Sequence, residues 1–186
     1  MVDFSLSDQQ KKELLSIARK TVEEGTKGKK IPKVEVGDER LTMLAGAFVS
    51  LHKRGRLRGC IGRFEAQAPL CETVVDMAWA ASRNDPRFNE VEPEELSDID
   101  IEISVLSPLR RITDVNEIEV GRHGIFVAHG YRRGTLLPQV AAEQGWDRNA
   151  FLKHTCLKAG LPPDAWKDEG TEIYVYDALV FGERER

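Results

Sequence analysis

The segment Arg56-Leu57-Arg58-Gly59-Cys60-Ile61-Gly62-Arg63 sets a thiol between two glycines and among three arginines, directly after an alternating apolar run. Three chemistries fit these residue types at this spacing. Nearby arginine cations favour the thiolate, the nucleophilic form of cysteine, which makes Cys60 the candidate catalytic residue. Backbone N–H groups bared by Gly59 and Gly62, flanked by Arg58 and Arg63, would instead form the floor of an anion site. The plainest alternative is a small buried residue supporting a tight turn, a common state for free cysteine. If 56–61 is extended, side chains alternate across the strand. Arg56, Arg58 and Cys60 then share one face, Leu57 and Ile61 turn to the core, and Gly62 redirects the chain through a positive φ.

A cysteine nucleophile needs a base. The four histidines are His52, His123, His129 and His154, and none has a spacing that marks it as the partner. His154 and Cys156 lie two apart on an expected helix and point to different sides. Cys156 falls with Leu152 and Ala159 on the apolar face, and Cys71 also reads as packing. No metal-ligand spacing is present. The second segment of interest is Arg83-Asn84-Asp85-Pro86-Arg87-Phe88. Asp85-Pro86 reads as a helix terminator and Phe88 as a core plug, while Arg83 and Arg87 would be presented beside Cys60 to hold a carboxylate or phosphate. Gly134-Thr135-Leu136-Leu137-Pro138-Gln139 precedes a helix N-terminus, which adds Gln139 to the candidate ligand contacts. The acids from Glu90 to Asp100 read as solvated, because nothing orients them as a catalytic pair.

These residues must be carried by regular elements. Ser7 and Gln10 form a capping box for an amphipathic helix over 8–24, with Gly25 as its stop. Ala45, Ala47, Val49 and Leu51 predict a strand that returns, after the Lys53-Arg54-Gly55 turn, through Arg56 to Ile61. Pro69 opens a helix with Leu70, Val74, Met77, Ala78 and Ala81 on its buried stripe and Trp79 about half a turn away. Ile99, Ile101, Ile103 and Val105 alternate with polar residues, predicting a strand with one wet face. Short strand-like runs follow at 117–120 and 124–129. Two helices are expected after Pro138 and Asp147, then a last strand through Ile173 and Val175. Trp146 and Trp166 are expected to lock the C-terminal helices. Strands and helices mix without regular βαβ alternation, so the fold class is α+β with mixed or antiparallel sheets. Lobe boundaries are sought in the loops near 106–112 and 130–137.

Composition narrows the function classes. The chain has 186 residues, 41% hydrophobic and 31% charged, as in an ordinary globular protein. A net charge of −4 argues against a polyanion binder, although 52–63 holds five Lys or Arg and no acid. Nucleic acid would further require stacking aromatics among those arginines, and only Phe64 follows them. No apolar run reaches a membrane span, and the start lacks a signal-peptide pattern. Three cysteines without a CxxC pair fit a reducing cytoplasm.

The chain resembles the AMMECR family. The matching stretches are Leu57-Arg58-Gly59-Cys60-Ile61-Gly62, Ala81-Ser82-Arg83-Asn84-Asp85-Pro86-Arg87-Phe88, Gly124-Ile125, Leu137-Pro138-Gln139-Val140-Ala141 and Glu143-Gln144-Gly145-Trp146-Asp147, with further fit around Phe151-Leu152 and Lys158-Ala159-Gly160-Leu161. The resemblance implies a single domain over 5–183, built as two unequal lobes sharing a cleft, with the Arg58–Gly62 motif near their junction. It implies no settled activity, cofactor or metal. It does imply partners: prokaryotic members look like one component of a three-part system with a Memo-type protein and a radical S-adenosylmethionine protein. The expected function is therefore binding of a small anionic substrate or a partner through Arg58, Gly59, Gly62, Arg63, Arg83, Arg87 and Gln139, with Cys60 as the reactive group. A non-catalytic scaffold is the alternative, and RNA or nucleotide binding ranks third.

Overall fold

The structure, a computed structural model, describes residues 5–184. In chain order its elements are α1 (Asp8–Thr26), β1 (Gly46–Lys53), β2 (Arg56–Arg63), α2 (Leu70–Arg83), β3 (Ile99–Leu106), β4 (Arg110–Ile112), β5 (His123–His129), β6 (Arg132–Leu136), α3 (Pro138–Glu143), α4 (Arg148–Lys158) and β7 (Glu172–Gly182), with short 3-10 turns between. The fold is α+β, as expected. The chain forms two compact units, one running to Leu106 and resuming at Leu179, the other Ser107–Ala178. The 130–137 segment is no boundary: it holds the β5–β6 hairpin turn and β6. Among the described residues no helix is long and apolar enough to cross a membrane.

In the first unit, Ser7 Oγ accepts from the Gln10 N–H at 3.2 Å while Gln10 Oε1 accepts from the Ser7 N–H at 2.9 Å, closing the capping box of α1. The helix runs past Gly25, the expected stop, to Thr26. Its cap is Lys27, followed by Gly28, whose φ of 68° supplies the left-handed residue that a C-terminal turn uses. Leu14, Ala18 and Val22 of α1 are fully buried, as are Leu70, Val74 and Ala78 of α2. They meet Ala47, Val49 and Leu51 of β1 and the Ile99, Ile101, Ile103, Val105 row of β3 in one core. Strands β2, β1 and β3 lie side by side, antiparallel. Trp79 faces α1, with its ring 3.5 Å from where a Gly25 Cβ would stand. Helix α2 is thereby covered on two sides. The second face of β3 is drier than its alternation predicted, since Ser104 is buried. Gly182, near the end of β7, runs beside Ile101 and Glu102.

In the second unit, β7 pairs with β5 on one side and β4 on the other, and β5 pairs with β6. The expected strand at 117–120 is a 3-10 turn, Val115–Glu117, followed by a reversal at Gly121, where φ is 88°. Ile125, Val127, Phe151, Leu152 and Cys156 fill the core, with Trp146 and Trp166 packed against it. Tyr176 is buried, and its hydroxyl meets Thr135 Oγ1 at 2.8 Å and donates to the Leu136 carbonyl at 3.1 Å. Its ring occupies the space beside Gly124, where a Cβ would lie 2.2 Å from Tyr176 Cζ.

The tightest approach to backbone in the first unit is at Gly59, where a Cβ would lie 2.2 Å from the Ala81 carbonyl oxygen of α2. Neither partner is a flexible side-chain end, so a methyl group must force strand and helix apart. Gly59→Ala is expected to destabilise the protein by at least ~1–3 kcal/mol, the usual cost of overpacking. Urea denaturation checks this, and a wild-type midpoint would show that the contact yields freely.

Candidate functional site

β2 is the outer strand of its sheet, and the site is built on its free edge. Ser50 of β1 stands opposite Cys60. In an antiparallel pair, residues that exchange no backbone hydrogen bonds bring their side chains closest, and their N–H and C=O groups point outward. Cys60 has that geometry. Its N–H donates at 2.8 Å to Asp85 Oδ2, and its carbonyl accepts at 3.0 Å from Arg87 Nη2. On the inner side, Ser50 Oγ donates to Cys60 Sγ at 3.1 Å. Cys60 is half-buried.

The outer clamp follows from the end of α2. After Arg83 the chain turns through Asp85-Pro86-Arg87-Phe88, closed by the Phe88 N–H donating to the Asp85 carbonyl at 3.1 Å. Proline suits the second position of such a turn, and aspartate at the first commonly accepts the N–H two residues on. Here the Arg87 N–H donates to Asp85 Oδ1 at 3.1 Å. The Arg87 side chain adds Nε to Oδ1 at 3.0 Å and Nη2 to Oδ2 at 2.7 Å. Asp85 is buried, with its carboxyl satisfied by four donations. The Arg87 guanidinium, helped by the Cys60 and Arg87 backbone N–H groups, holds its pKa far below the carboxylate range despite burial. The Arg87 pKa is raised in turn, first by Asp85 and in smaller measure by the Cys60 side chain, which places the sulfur in the field of the guanidinium.

Arg58 sits at an irregularity. Leu51 pairs with Gly59 but His52 pairs with Leu57, so Arg58 is the extra residue of a β-bulge. Bulges re-aim side chains. Arg58 Nε and Nη2 donate to Glu95 Oε1 and Oε2 at 3.0 and 2.8 Å, Nη1 to the Asn89 carbonyl at 2.9 Å, and Nη2 to the Glu90 carbonyl at 3.1 Å. Lys53 Nζ also donates to Glu95, at 2.8 Å. Arg58 first, then Lys53 and the Glu92 N–H, pull the Glu95 pKa from an ordinary 4.5 to about 2 against its burial.

The bulge corrects the expected strand parity. Beyond it, Leu57 lies opposite His52 and is 43% exposed instead of facing the core. Arg56, Arg58 and Cys60 do not form one row. Gly62 has no positive φ; it lies under the ring of Phe48, its cross-strand partner, where a Cβ would be 2.1 Å from Cδ1. Arg63 approaches Asp76 at 3.4 Å, and Arg83 pairs with Glu90. Arg58, Gly59, Cys60, Gly62, Arg63, Arg83 and Arg87 thus all belong to the first unit. Gln139 belongs to the second, on α3, where its Oε1 is buried without a hydrogen-bond partner.

Three residues escaped the sequence reading. Asp85 looked like a terminator and Glu95 like one solvated acid among several. Glu95 did carry a signal, since it stands three after Glu92 and caps it, accepting its N–H at 3.0 Å. Ser50 is found only through the pairing of β1 with β2, which also puts Glu102 of β3 across from it. Among the described residues, no group of His, Cys, Asp or Glu is placed to hold a metal ion.

What remains open to solvent is the far side of Arg87. Its side chain is 55% exposed, and its Nη1 makes no hydrogen bond among the described residues. It borders a pocket of about 450 Å³ lined by Arg58, Pro86, Arg87, Phe88 and Asn89. Arg87 Cζ stands 5.4 Å from the centre of the Phe88 ring, a cation–π distance.

Both carboxylates have depressed folded pKa values, so their pairs stabilise the protein above the ordinary carboxylate range and lose that contribution as pH falls. For Glu95 the loss runs from about 4.5 down to about 2. Glu95→Gln is expected to be less stable than wild type at pH 7 and to show a shallower decline between those values. Chemical denaturation across this range checks it, and parallel curves for the two proteins would remove Glu95 from the acid response.

Comparison with known proteins covers nearly the whole chain. A family model described as AMMECR1 matches residues 15–181. A protein of Methanothermobacter thermautotrophicus is 43% identical, with 96% of each chain covered. One of Methanopyrus kandleri is 46% identical, over 92% of this chain and 87% of its own. The crystal structure of an uncharacterized protein from Pyrococcus horikoshii superposes with a TM-score of 0.90 at 39% identity, covering 97% of this chain and 95% of that one.

Proposed function

The chain belongs to the AMMECR1 family, and from that premise we propose that it binds a small anionic ligand at the outer edge of Arg87, beside the Cys60 thiol. The observation that carries this reading is the division of the Arg87 guanidinium. Its inner edge is spent on Asp85 and the Cys60 carbonyl, which hold it still, while Nη1 has no hydrogen bond among the described residues and the side chain lines a polar pocket. A guanidinium fixed in this way needs no further ordering to receive a carboxylate or phosphate oxygen. Arg58 is a brace in this reading: its donors are committed to Glu95 and to two carbonyls, and it shapes the pocket wall. Ser50 donates to the thiol and Arg87 senses the Cys60 side chain, which sets the sulfur beside the guanidinium that would hold the anion.

The partnership suggested by the family resemblance belongs to the same proposal. The chain would hold its ligand for chemistry shared with a Memo-type protein and a radical S-adenosylmethionine protein. Co-purification with both, weakened in Arg87→Gln, is the corresponding outcome.

Alkylation of the native protein tests the site directly, because Cys71 and Cys156 are 3% and 0% exposed and leave Cys60 as the accessible thiol. The anionic reagent iodoacetate is compared with neutral iodoacetamide. The rate ratio at Cys60, read by peptide mass spectrometry, is expected to favour iodoacetate by about tenfold more in wild type than in Arg87→Gln, the worth of one charge-assisted hydrogen bond. Inorganic phosphate should slow the wild-type reaction. Equal ratios in the two proteins, with no protection by phosphate, would sink the anion site, and the iodoacetamide rate in the variant controls for a general loss of structure.

A further inference from the structure

A second pocket, in the Ser107–Ala178 unit and independent of the Cys60 site, has a volume of about 430 Å³ and is lined by His129, Tyr131, Arg132, Leu161, Pro162 and Asp168, with Ala165 behind them. Its histidine has a defined tautomer. Thr171 Oγ1 donates its one hydrogen to the Ala165 carbonyl at 2.5 Å. The 2.9 Å contact between His129 Nδ1 and the same hydroxyl therefore requires Nδ1 to be the donor. Neutral His129 thus carries its proton on Nδ1, and Nε2 is left as a lone-pair acceptor. No hydrogen bond to Nε2 is made among the described residues.

The charged side chains of this pocket also have no ion-pair partner among the described residues. Arg132 spends Nη1 on the Gly160 carbonyl at 2.6 Å and meets no carboxylate among them. The Asp168 carboxylate meets no cation among them either. Elsewhere the arginines at 19, 54, 58, 63, 83, 87, 110, 111, 122 and 184 each meet a carboxylate. Here a cation and an anion line one pocket without pairing to each other. Between them lie the apolar surfaces of Leu161 and Pro162, and the fully exposed Tyr131 stands at the rim, on the hairpin turn after Gly130.

From this arrangement we infer that the pocket is a binding site for a zwitterionic ligand with an apolar body, in class a free amino acid with an aliphatic side chain. The ammonium group has two acceptors, His129 Nε2 and Asp168. The carboxylate has the unspent edge of Arg132, and the side chain has Leu161 and Pro162. The volume lies within the range of small-molecule sites.

The test uses the whole chain, labelled with 15N, and L-leucine as the probe. Leucinamide lacks the carboxylate and N-acetyl-leucine lacks the ammonium. Leucine is expected to give saturable shifts at His129, Tyr131, Arg132 and Asp168, and each blocked probe should bind about tenfold or more weakly, the value of one charge-assisted contact. Arg132→Gln should weaken leucine but leave leucinamide unchanged. Asp168→Asn should weaken leucine but leave N-acetyl-leucine unchanged. His129 should keep its imidazole 15N pattern of an Nδ1–H tautomer in the free protein. The inference is overturned if leucine produces no saturable shift, if both blocked probes bind as well as leucine, or if neither charge substitution discriminates among the three. Both substitutions are at exposed side chains, so retained amide spectra separate lost binding from lost folding.

Discussion

The first unit turns on one carboxylate. Asp85 is taken out of water at the end of α2 and would be costly to bury there alone. It is tolerated because the turn that follows delivers Arg87 back onto it, and because the edge of β2 supplies a backbone N–H. The result is a side-chain substitute for a neighbouring strand: Asp85 takes the N–H of Cys60 and Arg87 gives to its carbonyl. An exposed sheet edge invites pairing with other chains, and this one is closed at Cys60. The thiol is positioned by its backbone, not by contacts to its sulfur alone.

That clamp requires β2 and the end of α2 to come very close, and the two glycines of the motif are explained by crowding on opposite faces of the strand. Gly59 admits the Ala81 carbonyl on the helix side, and Gly62 admits the Phe48 ring on the other. A glycine read from sequence as a bare amide or a flexible joint is here a space for a neighbour. The same crowding accounts for the bulge at Arg58. One extra residue lets the strand keep Gly59 against α2 while turning the Arg58 side chain out to Glu95.

The elements of this fold were largely legible in the sequence. The apolar periods of α1 and α2, the alternation of β3 and the capping box at Ser7 and Gln10 are local patterns, and local patterns survive into the structure. The α+β class and the family follow from the same stretches. The site was legible only as a list of residues. Parity along β2 was misread at Leu57 because a bulge is a property of two strands, and nothing in Arg56 to Ile61 announces where β1 will slip. Asp85 and Glu95 were passed over for a related reason. Each is an ordinary surface acid until the arginine that claims it is brought from 2 to 37 positions away. Short β4 and the 3-10 turn at Val115–Glu117 were missed because so few residues carry no period.

The two pockets differ in how their charges are partnered. At the Cys60 edge Arg58, Arg63, Arg83 and Arg87 each meet a carboxylate, and the outer part of Arg87 is left over. A ligand bound there, as proposed, would gain little by general attraction and would be selected by geometry at a pocket shared with Pro86 and Phe88. Around His129, Arg132 and Asp168 form no ion pair among the described residues, and the hydrogen bonds through Thr171 and Ala165 fix an imidazole tautomer. Orienting a ring through its far nitrogen leaves the near one ready to accept, which is how histidines are commonly prepared for a ligand. A purely structural histidine could have used either nitrogen against Thr171, whereas the hydroxyl's commitment to the Ala165 carbonyl leaves only one arrangement open.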